Sequence, residues 1–331
     1  MKAIVCRQFG LAHARLEDCP SPALAPGEVR IAVKAAGVSF ANLLVIDGKH
    51  QNRAEPPFTP GTEIAGTVLE CAPDVKRFRP GDRVVAGIRK GGFADEAIAP
   101  SETVFALPDA VDYAAGTHFP TLYATAYAAL KWRAALQPGE TLLVHGAAGG
   151  SGLAAVEIGK VLGARVIATA GSSAKVAAAL AHGADLAIHH RERNFREEVL
   201  AATEGRGADV IFDPVGGAVF LESLRCIASE GRLLPIGFAG GEIPQIPANL
   251  VLVKNVSVLG VYWGYYMGWA RQAPPASLAP RRRAAFSEML DWAAAGRLRP
   301  HTHRCYALGD FREALAALSA REVIGRNVLL P

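Results

Sequence analysis

Between residues 146 and 152 the chain reads Gly146-Ala147-Ala148-Gly149-Gly150-Ser151-Gly152. A glycine turn of this kind at the start of a helix points backbone N–H groups at a pyrophosphate, and a Cβ would hold the ligand off. Read as Gly-x-Gly-x-x-Gly, the register is Ala147, Gly149, Gly152, with alanine in the first glycine's place. NAD-binding units place an acidic residue roughly 20 residues further on, where it holds the ribose 2′-OH. Here that segment is Thr169-Ala170-Gly171-Ser172-Ser173-Ala174-Lys175, with no carboxylate. The hydroxyls of Ser172 and Ser173, the helix N-terminus and Lys175 suit a 2′-phosphate instead. His190 and Arg191, after the next expected strand, add charge to the same place. The pattern therefore predicts NADPH over NADH. The bland reading is a close-packing turn followed by an ordinary serine cap.

Regular elements must position that turn. Thr141–Val144 reads as a buried strand, and Leu153, Val156, Val161 and Leu162 fall on one helix face. Strands follow at Arg165–Thr169, Leu186–His189, Asp209–Phe212, Leu233–Ile236 and Val256–Val261. Helices are expected at Ser173–His182, Phe195–Thr203 and Ala218–Ile227. This alternation predicts a doubly wound parallel sheet that binds ligands at the carboxyl ends of its strands. The first third is irregular and mostly β, with strand patterns at Val29–Ala35, Ile64–Glu70 and Val84–Ala86. A helix at Tyr123–Trp132 leads out of it. Helices at Arg282–Ala295 and Phe311–Ala320, after a proline-rich loop at Ala273–Pro280, precede a closing strand at Asn327–Leu330. The expected division is 1–123, 124–264 and 265–331, the last segment returning to the first domain, with an active site in the cleft between domains.

At 331 residues, 50% hydrophobic and 20% charged, the chain has the composition of a globular protein of about two domains. A net charge of +4 argues for no nucleic-acid partner. Arg281–Arg283 is the densest basic cluster and reads as a solvated first helical turn, with a phosphate-binding patch as the weaker alternative. The five cysteines are scattered, which suggests reduced thiols in a cytoplasmic protein. The most apolar stretch, Ile243–Trp263, is broken by prolines, asparagines and a lysine and predicts no membrane span.

Taken in order, several stretches resemble one family: GVSF at 37–40, PGTEIAGTV at 60–68, PGDRV at 80–84, HGAAGGSG at 145–152, TAGSSAK at 169–175, DPVGG at 213–217, IGFAGG at 236–241 and GVYWG at 260–264. The chain resembles zinc-independent medium-chain dehydrogenases/reductases of the NADPH:quinone oxidoreductase (zeta-crystallin-like) group, nearly end to end. The resemblance implies an α/β fold, with a GroES-like mostly-β domain plus a doubly wound parallel-sheet Rossmann domain, and a homodimer paired through the edge strand at Val256–Val261. It implies cofactor contacts at Thr125, Ala147, Ala148, Gly149, Gly150, Ser151, Gly152, Ser172, Ser173, Lys175, His190, Gly237, Phe238, Tyr262, Trp263, Gly264 and Arg326, the last near the phosphates.

Where related zinc alcohol dehydrogenases hold a catalytic metal, Ser39 occupies the first cysteine position and Thr62 the histidine position, beside Glu63. The four-cysteine zinc lobe is absent around 90–112. Hydroxyls are poor replacements for thiolate and imidazole, so no zinc is expected. Leu44 replaces the cleft tyrosine of some quinone reductases, and His190 the tyrosine that reaches the 2′-phosphate. Ser39 and Asn42, with Tyr262 as a weaker candidate, are the expected donors to the acceptor oxygen; for Asn42, turn or cap chemistry is an equal reading. The implied activity is NADPH-dependent reduction of quinones or other α,β-unsaturated carbonyls. Enoyl-thioester reduction and a non-catalytic, crystallin-like role are the alternatives.

Overall fold

A computed structural model describes residues 1–51, 53–272 and 274–331. The chain forms two compact units: Met1–Thr121 with Gly264–Gly296 and Pro300–Pro331, and Leu122–Trp263 with Arg297–Arg299.

In the first unit, β1 (Lys2–Cys6) and β2 (Ala14–Asp18) make an antiparallel hairpin. They are followed by β3 (Glu28–Val38), β4 (Glu63–Cys71), β5 (Arg83–Gly87), β6 (Glu96–Pro100) and β7 (Val104–Ala106). The second unit holds β8 (Thr141–Val144), β9 (Arg165–Ala170), β10 (Leu186–His189), β11 (Ala208–Asp213), β12 (Ile227–Pro235) and β13 (Ser257–Val258). The chain closes with β14 (Thr302–Ala307) and β15 (Arg326–Leu330).

The first unit is built on a seven-stranded sheet ordered β14-β15-β3-β4-β5-β7, with β6 also paired to β3. Along β3 burial alternates and then becomes continuous from Ala35 to Val38, the signature of a strand covered on one face and then on both. β15 pairs antiparallel with β3, so the last residues belong to this sheet. The second unit has six parallel strands ordered β10-β9-β8-β11-β12-β13. Strand order reverses between β8 and β11. In a doubly wound sheet that reversal opens the ligand crevice.

Several elements differ from the sequence reading. The helix expected at Tyr123–Trp132 is one α turn, Ala124–Tyr127, between π-helical turns at Phe119–Tyr123 and Ala128–Arg133. β12 starts six residues before the expected Leu233, at Ile227, because Glu230 takes a left-handed φ of 62° that absorbs the turn within the strand. The edge strand shrinks from Val256–Val261 to two residues, since only Ser257 and Val258 find partners on β12. The helix expected from Arg282 spans Leu278–Ala294; Pro280 lies in its first turn, where a missing N–H costs nothing. Ala273, the first residue of the predicted loop, lies outside the described residues. Arg282 is not solvated but buried.

Two polar networks fix the second unit. Glu157, buried in the helix Gly150–Val161, accepts from Tyr123 Oη at 2.7 Å, His182 Nδ1 at 2.6 Å and the Arg299 N–H at 2.9 Å. This bond ties Arg297–Arg299 to the second unit. His145, directly after β8, is buried between Thr169 Oγ1 at 3.0 Å and Ser223 Oγ at 2.8 Å. Ser223 already donates to Val219 O. His145 must therefore donate from Nε2 and accept at Nδ1, which fixes one neutral tautomer.

The cysteines are all free. Burial raises the thiol of Cys6 to about 11 and that of Cys226 to about 12. Burial also raises those of Cys71 and Cys305.

Burial lowers His145 from 6.5 to about 3. Below pH 6.5 the unfolded chain binds a proton at this residue that the folded chain refuses, so stability falls with pH until about pH 3. Between pH 7 and pH 5 this group should remove about 2 kcal/mol. Urea unfolding of His145→Gln should show that much less loss over the same interval. An unchanged interval would contradict the assignment.

Candidate functional site

The glycine turn follows from the need to pass from β8 into a helix in few residues. Gly146 adopts a φ of 55°. A Cβ on Gly152 would sit 2.3 Å from Gly146 O and 2.7 Å from Ala147 Cα, so only glycine allows the loop to fold over the first helical turn. Ala147 and Ala148 are buried beneath, at 0% and 2% exposure, and Ala147 N–H bonds Thr169 O. Their side chains are packing residues, a correction to the expectation of contact along the whole loop. Gly149, Gly150 and Ser151 form the accessible face. Gly149 caps the helix without a side-chain bond, leaving backbone N–H groups for an anion.

At the carboxyl end of β9, Ser172 caps the helix Ser173–Ala181 by accepting from Lys175 N at 3.4 Å. His190 Nε2 and Arg191 Nε lie 3.1 Å and 3.5 Å from where a Gly171 Cβ would stand. Two distant stretches of sequence thus bring hydroxyls, an imidazole, a guanidinium and Lys175 to one strand end. Burial, and then the charge of Arg191, lowers His190, so it serves as a neutral donor. The donor set fits a phosphate on a ribose.

The remaining expected cofactor residues are spread along the same unit. Thr125 lies half-buried in the α turn between the π turns. Gly237 and Phe238 follow β12, where Ile236 N–H bonds Asp213 O and Ala239 N–H bonds Pro214 O. Asp213 itself accepts from Val215 N and Gly216 N at 2.8 Å and 3.1 Å, and burial raises its pKa. Tyr262 is 38% exposed. Trp263 is 5% exposed, with its ring 6.2 Å from Trp132, so its side chain belongs to the core and only its backbone is left for a cofactor. Gly264 begins the next segment of the first unit.

In the first unit, segments far apart in sequence form one hydrogen-bonded chain. Ser39 N and Oγ donate to Asn42 Oδ1 at 2.7 Å and 2.9 Å, closing a capping box at the helix Phe40–Ile46. Asn42 Nδ2 donates to Thr62 Oγ1 at 3.4 Å, and Thr62 Oγ1 to Glu63 Oε2 at 2.8 Å. Thr121 Oγ1 donates to Glu63 Oε1 at 2.5 Å. Arg326 Nη2 stands 2.8 Å from Glu63 Oε2, an ionic contact rather than an aligned hydrogen bond. The two side chains are 1% and 3% exposed.

This geometry corrects two expectations. Arg326 does not stand free for cofactor phosphates; it is buried on Glu63, with Nη1 donating to Thr117 O and Nε to Val38 O. Asn42 is 1% exposed and its amide is committed to cap and chain, so it positions Ser39 and Thr62 rather than meeting an acceptor. Ser39, Thr62 and Thr121 are the half-exposed hydroxyls of the chain. Where zinc relatives carry a metal set, these residues offer two hydroxyls, an amide and a carboxylate held by a guanidinium. That donor set does not fit zinc. Among the described residues no group of three His, Cys, Asp or Glu is arranged for a metal.

The Glu63–Arg326 pair was not legible in the sequence. The one usable signal is Gly37, whose Cβ would stand 2.3 Å from Arg326 Cζ.

A dinucleotide cradle on a parallel sheet, joined in one chain to an antiparallel β unit, defines a two-domain oxidoreductase. Residues 25–109 match the alcohol dehydrogenase GroES-like domain model, and residues 150–277 the zinc-binding dehydrogenase model. The chain is 37% identical over 329 residues to quinone oxidoreductase-like protein 2 of Bos taurus, covering 99% of this chain and 92% of that protein. It is 31% identical over 264 residues to the quinone oxidoreductase of Homo sapiens, covering 79% and 80%. The quinone oxidoreductase of Escherichia coli, solved in complex with NADPH, superposes with a TM-score of 0.90 at 25% identity, over 100% of both chains. The chain belongs to the medium-chain dehydrogenase/reductase family, in its quinone oxidoreductase branch.

Two substitutions test the geometry. Gly152→Ala should disrupt the loop and abolish binding of a nicotinamide dinucleotide in fluorescence titration, while the far-UV signal is kept. Glu63→Gln leaves a buried guanidinium uncompensated and should cost about 3–5 kcal/mol in denaturant unfolding. The double variant Glu63→Gln/Arg326→Met should recover part of that loss. A single variant as stable as the parent would remove the pair from its central place.

Proposed function

We propose that this protein is an NADPH-dependent reductase of quinones or other α,β-unsaturated carbonyls, working without zinc. The observation that carries the reading is the hydroxyl–amide–carboxylate chain, closed by Arg326, at the positions where zinc relatives hold their metal. NADPH, when bound, supplies the hydride. Backbone N–H groups of Gly150 and Ser151 hold the pyrophosphate. Ser172, Ser173, Lys175, His190 and Arg191 hold the 2′-phosphate. Ser39 would turn its O–H from Asn42 Oδ1 to the acceptor oxygen as charge develops. Tyr262 is the weaker second donor. Conjugated carbonyls are the acceptors that need least stabilisation, which fits hydroxyl donors better than an unactivated ketone does.

The reading extends to a cytoplasmic homodimer paired through the edge of β13. The helix Ala248–Val253, just before that strand, has no buried residue, and it exposes Leu252 and Val253 at 76% and 69%. A second copy would cover such a face. Among the described residues no helix is long and apolar enough to cross a membrane.

Anaerobic NADPH oxidation with a panel of quinones and enones tests the activity. Tight NADPH binding with no turnover on any acceptor would end the proposal. Ser39→Ala should lower kcat tenfold or more and leave NADPH affinity unchanged. Lys175→Ala should weaken NADPH about tenfold, equivalent to about 1.4 kcal/mol, and leave NADH unaffected. Leu252→Asp should shift the protein from dimer to monomer in sedimentation.

A further inference from the structure

The basic cluster Arg281–Arg283, read from the sequence as solvated, behaves otherwise in the fold. Arg282 is 5% exposed. Its Nη1 donates to Tyr266 O at 2.7 Å and its Nη2 to Glu102 O at 2.8 Å, while the buried Nε has no protein partner. Glu102 is the carboxylate in reach, 3.5 Å from Arg282 and 3.3 Å from Arg283. Burial, and then the charge of Arg283, lowers the pKa of Arg77, whose Nη1 donates to Ser101 O at 3.5 Å. Burial also lowers Arg282.

Arg282, Glu102 and a second carboxylate, Glu28, line a cavity of about 490 Å³ within the first unit. Arg89 and Lys90 line it too; Arg89 Nη2 donates to Gly268 O at 2.6 Å, which fixes the loop that carries both cations. Ile98 and Trp269 supply an apolar wall. The volume suits a small organic ligand. Three cations, Arg89, Lys90 and Arg282, thus face two carboxylates, Glu28 and Glu102, around this space; of the three, Arg282 is buried with its Nε unpartnered, while Arg89 and Lys90 are exposed. Guanidinium forks match the geometry of phosphate and carboxylate.

We propose that this cavity is a second anion site, independent of the nucleotide loop, for a small organic phosphate or carboxylate with an apolar or aromatic body. The oxyanion meets Arg89 and Lys90 in the field of Arg282, and the apolar body lies along Trp269 and Ile98. Nothing in the proposed reductase activity requires it, so either reading can fail alone.

The test uses the full chain saturated with NADPH, so that the nucleotide loop is filled, at constant ionic strength set with chloride. Phenyl phosphate, benzoate and inorganic phosphate are titrated separately by calorimetry. Saturable binding of phenyl phosphate or benzoate at one site per chain is expected, at least tenfold tighter than inorganic phosphate. Which of the two binds tells phosphate from carboxylate. Arg89→Ala/Lys90→Ala should weaken it at least tenfold while the melting temperature stays within a few degrees. Arg282→Lys should weaken it as well; because that change also removes structural bonds to Tyr266 O and Glu102 O, the double variant decides. Absence of saturable binding by both aromatic probes, or equal affinity in the double variant, would overturn the proposal.

Discussion

The first unit is organised around two opposite charges taken out of water together. Glu63 at the start of β4 and Arg326 at the start of β15 are both buried, and neither is tolerable without the other. Their pairing accounts for features that look unrelated. Gly37 must lack a side chain because the guanidinium occupies that space. Thr62 and Thr121 must point their hydroxyls inward because the carboxylate accepts both. The final strand is therefore part of the candidate site and not merely its support, because it delivers the guanidinium that pairs with Glu63 beside Thr62.

The second unit meets a similar problem with backbone in place of charge. Gly146 O, Ala147 and Gly152 approach so closely that the loop has one way to fold. Its accessible face is Gly149, Gly150 and Ser151, with the Gly149 N–H turned back onto Gly146 O. Below it, His145 holds one tautomer between β9 and the helix Gly217–Cys226. A loop that must receive an anion is thus braced by a group that stays neutral through the physiological range.

What the sequence made legible follows from locality. The parallel sheet was readable because each strand, turn and helix announces itself within about ten residues, and the serine cap at Ser172 is a local bond between neighbours. β14, the β1–β2 hairpin and β6 escaped, because their burial patterns are set by partners elsewhere in the chain. The π turns around Thr125 leave the apolar spacing close to that of an ordinary helix. The site divided the same way. Ser39 and Asn42 were visible as neighbours three residues apart, yet the role of Asn42 depended on Thr62, twenty residues away. Arg326 was recognised as basic near the right place, but its direction was decided by a carboxylate far back in the sequence. Arg282 was misread for the same reason: a run of three arginines carries no sign of which one turns inward.

The protonation of the cysteines has a consequence of its own. Quinones and enones are soft electrophiles that arylate or alkylate thiolates. With Cys6 held at about 11 and Cys226 at about 12, the reactive form at neutral pH amounts to roughly one part in ten thousand or less. Cys6 and Cys226 would therefore be slow to be modified by the acceptors proposed above, and any such damage would fall on the exposed Cys305 and the half-buried Cys19 and Cys71.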